Sequence, residues 1–129
     1  MTRLLVVDDE ERICRLLGRA LRSAGYEVDS ASTGPAALAA ARARPYDMIV
    51  LDLMLPGMPG GDVLRRLLDG RPDRRVLVLS AAAGVEARVG CLEAGAVDYL
   101  AKPFDKAALE AVLKRWFGQT AGTGTNAAA

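Results

Sequence analysis

The sequence predicts a doubly wound α/β domain with a five-stranded parallel sheet in the order 2-1-3-4-5. Two observations carry this. Runs rich in Val, Ile and Leu recur with little alternation, as strands buried on both faces do. Helical patterns separate them, and strands alternating with helices imply a parallel sheet covered on both sides. Right-handed crossovers and short loops leave few topologies, of which 2-1-3-4-5 is the common five-strand solution.

The first run, 4–7, stops on Asp8-Asp9. Ile13, Leu16, Leu17, Ala20 and Leu21 then form a helical stripe, closed by Gly25 as a cap. Residues 26–30 alternate, as a strand near the sheet edge does. A second, Ala-rich helix starts at about Gly34-Pro35, with Pro in the first turn, and ends by Pro45. The run 48–51 stops on Asp52. A loop dense in Pro and Gly follows over 53–61, then a helix from Asp62 with Val63, Leu64, Leu67 and Leu68. The run 76–79 stops on Ser80. Residues 81–84 read as a loop on the single glycine Gly84, and a helix runs from about 85 to 94, capped by Gly95. The short run 97–101 stops on Lys102-Pro103. The last helix, 105–117, places Leu109, Val112, Leu113 and Trp116 on one face, with Trp116 expected as packing.

Residues 1–118 therefore read as one domain. The stretch 119–129 has no apolar period and reads as a flexible linker, its three final alanines as a cloning remnant. With 17 basic and 16 acidic residues, the net charge of +1 lacks the basic footprint of a nucleic-acid binder, and direct nucleic-acid binding is not expected. There is no histidine, which excludes Ser-His and Cys-His nucleophile systems. Cys14 and Cys91 form no Cys-x-x-Cys pair, so a zinc site is not expected; both are expected as structural free thiols, in keeping with a reducing cytoplasm. The first run begins too close to Met1 for a signal peptide, and no run reaches membrane-spanning length.

In a parallel sheet, all the polar stops lie on one edge. Asp8, Asp9 and Asp52 then converge. Two like charges a few ångströms apart repel by about 4 kcal/mol at an effective dielectric near 20. Such a cluster raises its own pKa values or recruits a cation. Oxygen-only ligands suit a hard ion, foremost Mg²⁺, which attracts phosphate oxygens in turn. Lys102 adds a second positive charge and Ser80 a hydrogen-bond donor. A carboxylate set among metal, ammonium and hydroxyl is a site for covalent phosphorylation on Asp.

These residues, in this order on these elements, resemble the receiver domain of bacterial two-component response regulators over about residues 2–117. The match comprises Asp8-Asp9, Asp52, Ser80 and Lys102-Pro103-Phe104, with Leu55-Pro56-Gly57 and Gly95-Ala96 in support. The resemblance implies a flavodoxin-like layout and a cytoplasmic signalling phosphoacceptor rather than an enzyme acting on other molecules. It implies Asp52 as phosphoacceptor, taking the phosphoryl group from a sensor histidine kinase. Asp9, Asp52 and the Met54 backbone carbonyl would hold Mg²⁺, with Asp8 acting through a metal-bound water. Lys102 would pair with a phosphoryl oxygen, Ser80 would close over the group, and Tyr99 would turn inward behind it. The Lys102–Pro103 bond is expected to be cis. Output would pass through the face made by the fourth helix, fifth strand and fifth helix, and would control transcription.

Residues 85–89 and 93–99 are similar to receivers of the OmpR/PhoB type, which form homodimers through that face by crossed charge pairs. Arg88 and Asp98 match two of the charges, whereas Ala108 and Val112 replace the partners. The expectation is a dimer, or another partner, held by apolar contacts from Val112 and its neighbours. Arg71, Arg74 and Arg75 are expected to be a solvated surface. Met54 and Ala82 are expected to govern water access to the acidic site. Three alternatives fit these residues less well. An FMN carrier needs a hydroxyl- and glycine-rich loop where Asp8-Asp9-Glu10-Glu11 stands. A haloacid-dehalogenase-type phosphatase needs Asp-x-Asp. A receiver that only binds proteins has no need of the full acidic set.

Overall fold

The computed structural model describes residues 2–81 and 85–118. The stretch 119–129 and Ala82 lie outside them. Strands β1 (Arg3–Val7), β2 (Glu27–Ala31), β3 (Met48–Asp52), β4 (Val76–Ser80) and β5 (Asp98–Ala101) alternate with helices α1 (Glu11–Ser23), α2 (Gly34–Ala43), α3 (Gly60–Leu68), α4 (Val85–Glu93) and α5 (Lys106–Phe117). All strand pairs are parallel, in the order β2-β1-β3-β4-β5. Val7 lies opposite Leu51, Asp52 opposite Leu79, and Ser80 opposite Ala101. This register brings the carboxyl ends of β1, β3, β4 and β5 level with one another.

The continuous apolar runs are the central strands: every residue of β3 and β4 is buried. Edge strand β2 is buried only at Val28 and Ala31, which pack on opposite faces of the sheet. Leu5, Val7, Ile49, Leu51, Val76, Val78 and Tyr99 pack on one sheet face with Ala37 and Ala41 of α2, Val63, Leu64 and Leu67 of α3, and Cys91 of α4. Leu4, Val6, Met48, Val50, Leu77 and Leu79 pack on the other with Leu21 of α1 and Leu109, Val112 and Leu113 of α5. Each fully buried side chain of this size stabilises by about 1.5–3 kcal/mol before entropy is set against it. Among the described residues, no helix is long and apolar enough to cross a membrane.

Two boundaries and one helix face differ from the sequence expectation for local reasons. Helix α3 starts at Gly60, not Asp62, because the Asp62 and Val63 amides both donate to the Pro59 carbonyl and close its first turn early. Asp105 caps α5 instead of lying inside it: its carboxylate accepts from the Ala108 amide at 2.8 Å. In α1 the buried positions are Cys14, Gly18 and Leu21, whereas Leu16 is 56% exposed. Ile13, Leu16 and Ala20 instead line an apolar groove shared with Phe104 and Leu109. Gly25 and Gly95 follow α1 and α4 with φ of 99° and 111°, the left-handed geometry expected of their caps. The Lys102–Pro103 bond is cis.

Candidate functional site: the acidic edge of the sheet

The carboxyl ends of the strands deliver Asp8, Asp52, Ser80 and Lys102 to one place. Asp8 follows β1 and is 1% exposed; Asp52 closes β3 at 3%, and Ser80 closes β4 at 1%. Asp9, beside Asp8, is exposed. Carboxylate oxygens of Asp8, Asp9 and Asp52 lie within 4.8 Å of one another, a spacing that one cation can span.

Lys102 reaches across this cluster. Its Nζ donates to Asp52 Oδ2 at 2.8 Å and to Asp8 Oδ2 at 3.1 Å. Its own amide donates to the Ser80 carbonyl at 2.8 Å, which extends the β4–β5 ladder and fixes where the side chain starts. The remaining carboxylate oxygens are also engaged. The Glu10 amide donates to Asp8 Oδ1 and the Met54 amide to Asp52 Oδ1, each at 2.9 Å. Burial pushes the Asp8 carboxyl above its ordinary range, opposed by the Glu10 amide and by Lys102. Burial alone lowers the Lys102 ammonium, but its hydrogen bonds and charge contacts with Asp52 and Asp8 outweigh that, and the net shift is upward.

An all-oxygen set, two members buried and one facing solvent, fits a hard divalent ion that keeps some of its waters. A phosphoryl group at the same edge would meet an ammonium and a buried hydroxyl. Met54, whose amide binds Asp52, is 65% exposed. Cys14 is structural, as expected: it is buried, and its thiol donates to the Asp8 carbonyl at 3.3 Å. Burial raises the Cys14 and Cys91 thiols above the ordinary thiol range.

A receiver-domain family model, described as "Response regulator receiver domain", matches residues 4–114. The chain belongs to the response-regulator receiver domain family. This receiver domain is 46% identical over 101 residues to a probable transcriptional regulatory protein, TcrX, of Mycobacterium tuberculosis; the match takes in 78% of this chain and 43% of that one. The chain thus spans less than half the length of that relative. A Francisella response-regulator receiver domain superposes with a TM-score of 0.86 at 29% identity, over 91% of this receiver and 97% of that chain. A Burkholderia pseudomallei response regulator solved with a phosphorylated aspartic acid, a calcium ion and citrate superposes at 0.78 with 35% identity, over 88% and 65%. The receiver domain is a module of two-component signalling.

The other candidate residues fall elsewhere. Tyr99 is buried on the α2–α4 side of the sheet, opposite Val78 and two positions short of the Ser80 level. Val112 cannot carry an apolar dimer contact: it is 6% exposed and packed in the α1–α5 core. Among the described residues, the exposed large apolar side chains of this region are Val85, Val89 and Leu92 of α4. Asp98 is buried, and its partner comes from its own chain: Arg115 Nη1 donates to its Oδ2 at 2.6 Å. Arg115 lies three positions beyond Val112, nearly one helical turn, and so reaches the charge that position 112 does not. The arginines before β4 are also corrected. Arg71 is exposed as expected, but Arg74 donates to the Leu67 carbonyl at 2.9 Å, and Arg75 stacks on Trp116 and Phe117.

Proposed function

We propose that Asp52 is the phosphoacceptor of this receiver domain and that Lys102, Ser80 and a Mg²⁺ site at Asp9, Asp52 and the Met54 carbonyl, with Asp8 acting through water, support the transfer. The observation that carries this is the Lys102 ammonium held between the buried carboxylates of Asp8 and Asp52. A bound Mg²⁺ supplies positive charge opposite the phosphoryl oxygens. An Asp52 oxygen attacks phosphorus in a phosphohistidine of the sensor kinase. The O–P bond forms as the N–P bond breaks, and the electron pair returns to the imidazole. Lys102 moves its hydrogen bond from Asp52 Oδ2 to a phosphoryl oxygen, and the Ser80 hydroxyl donates to another. Asp8 keeps Lys102 anchored meanwhile. This is phosphoryl transfer by position and charge, with little acid–base work.

Output passes through α4, β5 and α5, with Ser80 and Tyr99 as the switch, to a transcriptional effector outside this chain. A homodimer on that face would rest on Val89 and Leu92, with Arg88 exposed beside them. Sedimentation with Mg²⁺ and beryllofluoride should show a dimer that Leu92→Glu returns to monomer. A strictly monomeric activated wild type would remove the dimer from this scheme.

The central test is intact mass after incubation with Mg²⁺ and a small acyl phosphate. The expected result is one added phosphoryl group, absent in Asp52→Asn and blocked by a chelator. An unchanged mass, or undiminished uptake by Asp52→Asn, defeats the assignment.

A further inference from the structure

We propose that Asp98 tethers the last turn of α5 to the strand that carries Tyr99, so that a change at the acidic edge is reported at Trp116. This rests on the assignment of Asp52 as phosphoacceptor.

Asp98 opens β5 and is 6% exposed. A buried carboxylate is tolerated only when its oxygens are satisfied. Here Oδ1 accepts from the Tyr99 amide at 2.9 Å, and Oδ2 accepts from Arg115 Nη1 at 2.6 Å and Trp116 Nε1 at 3.1 Å. One side chain therefore joins the backbone of Tyr99 to two consecutive residues of α5. Asp98 and Tyr99 are adjacent on a strand, so their side chains take opposite faces. Tyr99 packs with α2–α4, and Asp98 meets α5.

The same turn is held from a second strand. Arg75 immediately precedes β4, and its Nη1 donates to the Trp116 carbonyl at 3.3 Å. Its guanidinium lies 5.7 Å from the centre of the Trp116 ring and 5.5 Å from that of Phe117. Ser80 ends β4 and Tyr99 lies on β5, while the amino ends of those two strands, through Arg75 and Asp98, grip the last turn of α5. A shift of either strand that follows Ser80 or Tyr99 is carried to Trp116 through direct contacts. The tether also commits Asp98 within its own chain, so it is not available to pair with a second copy while Arg115 holds it.

Trp116 is the only tryptophan of the chain, so its emission reports this turn alone. The full chain is incubated with Mg²⁺ and a small acyl phosphate, and tryptophan emission and intact mass are read on the same sample. Wild type should gain a phosphoryl group and change its emission. Asp98→Asn exchanges an acceptor oxygen for a donor, so it cannot serve both the Tyr99 amide and the α5 donors. It should gain the phosphoryl group with the emission change lost. Arg115→Gln, at an exposed position, removes the charge but keeps an amide donor, and should weaken the change. Phosphorylated wild type with unchanged emission, or Asp98→Asn with the full change, overturns the tether and leaves Asp52 standing. A wild type that takes up no phosphoryl group overturns the Asp52 assignment, and the tether with it.

Discussion

Lys102→Met is expected to destabilise the metal-free domain by about 3 kcal/mol while making it bind Mg²⁺ more tightly. The ammonium is the shared counter-charge of Asp8 and Asp52, whose side chains are 1% and 4% exposed. Removing one partner of a buried ion pair costs roughly 3–5 kcal/mol, because the remaining charge stays desolvated. Lys102 is itself 23% exposed, so water reaches the site and the lower end applies. The loss should depend on pH with a definite sign. Asp8 already binds its proton above the ordinary carboxylate range, and without Lys102 it binds it more strongly. A raised carboxyl contributes stability that is present below its unfolded pKa and lost as pH rises through the folded one. The variant should therefore fall furthest behind wild type at neutral pH and recover on acidification.

Mg²⁺ should restore the variant by mass action, by about 2.7 kcal/mol at a hundredfold excess over its dissociation constant, since no ammonium competes for the carboxylates. Phosphoryl uptake should nonetheless fall by roughly 10²–10³-fold, the usual loss when one fixed charge aimed at the transferring group is removed. Urea titrations with and without Mg²⁺, alongside uptake followed by mass, separate the two effects. A variant as stable as wild type without metal would show that Lys102 does not neutralise the pair.

Much of this site was legible in the sequence because a parallel sheet converts strand order into geometry. Once 4–7, 48–51 and 76–79 read as buried strands, Asp8, Asp52 and Ser80 had to share an edge, and the short run before Lys102 brought the ammonium to them. Strand ends needed no side-chain detail. The contacts of Asp98 were not legible, because they depend on how α5 is rotated about its axis. Arg115 and Trp116 lie 17 and 18 residues away, and Arg75 lies 41 residues from Trp116. The missing charge at Val112 was visible; its replacement from Arg115 was not. The stripe on α1 misled for a related reason. Ile13 and Leu16 line a groove beside α5, whereas the buried positions of α1 are Cys14, Gly18 and Leu21. Arg75 read as solvated since its charge gives no hint of the rings it covers.

Glycines in the 53–61 loop posed the same difficulty, and Gly60→Ala is expected to have the second large effect. A Cβ at Gly60 would lie 2.3 Å from Leu53 Cα and 2.5 Å from the Leu53 carbonyl oxygen. Both are backbone atoms, so no side-chain rotation relieves the clash; the chain between Asp52 and α3 must move. Overpacking costs roughly 1–3 kcal/mol, and more where the neighbour cannot yield, so a loss of about 3 kcal/mol is expected. The segment that must move begins at Leu53, between Asp52 and Met54, so Mg²⁺ affinity and phosphoryl uptake should fall as well. Gly61→Ala is the matched comparison. It adds the same methyl to the same helical turn, with nothing within 4 Å of the new atom and no positive φ. There the smaller backbone entropy of the unfolded chain should stabilise by about 0.4–1 kcal/mol. Opposite shifts in urea midpoint for adjacent Gly→Ala changes would locate the constraint at the Leu53 contact. Equal shifts would mean that the approach of α3 to the Asp52 loop does not set the geometry of the site.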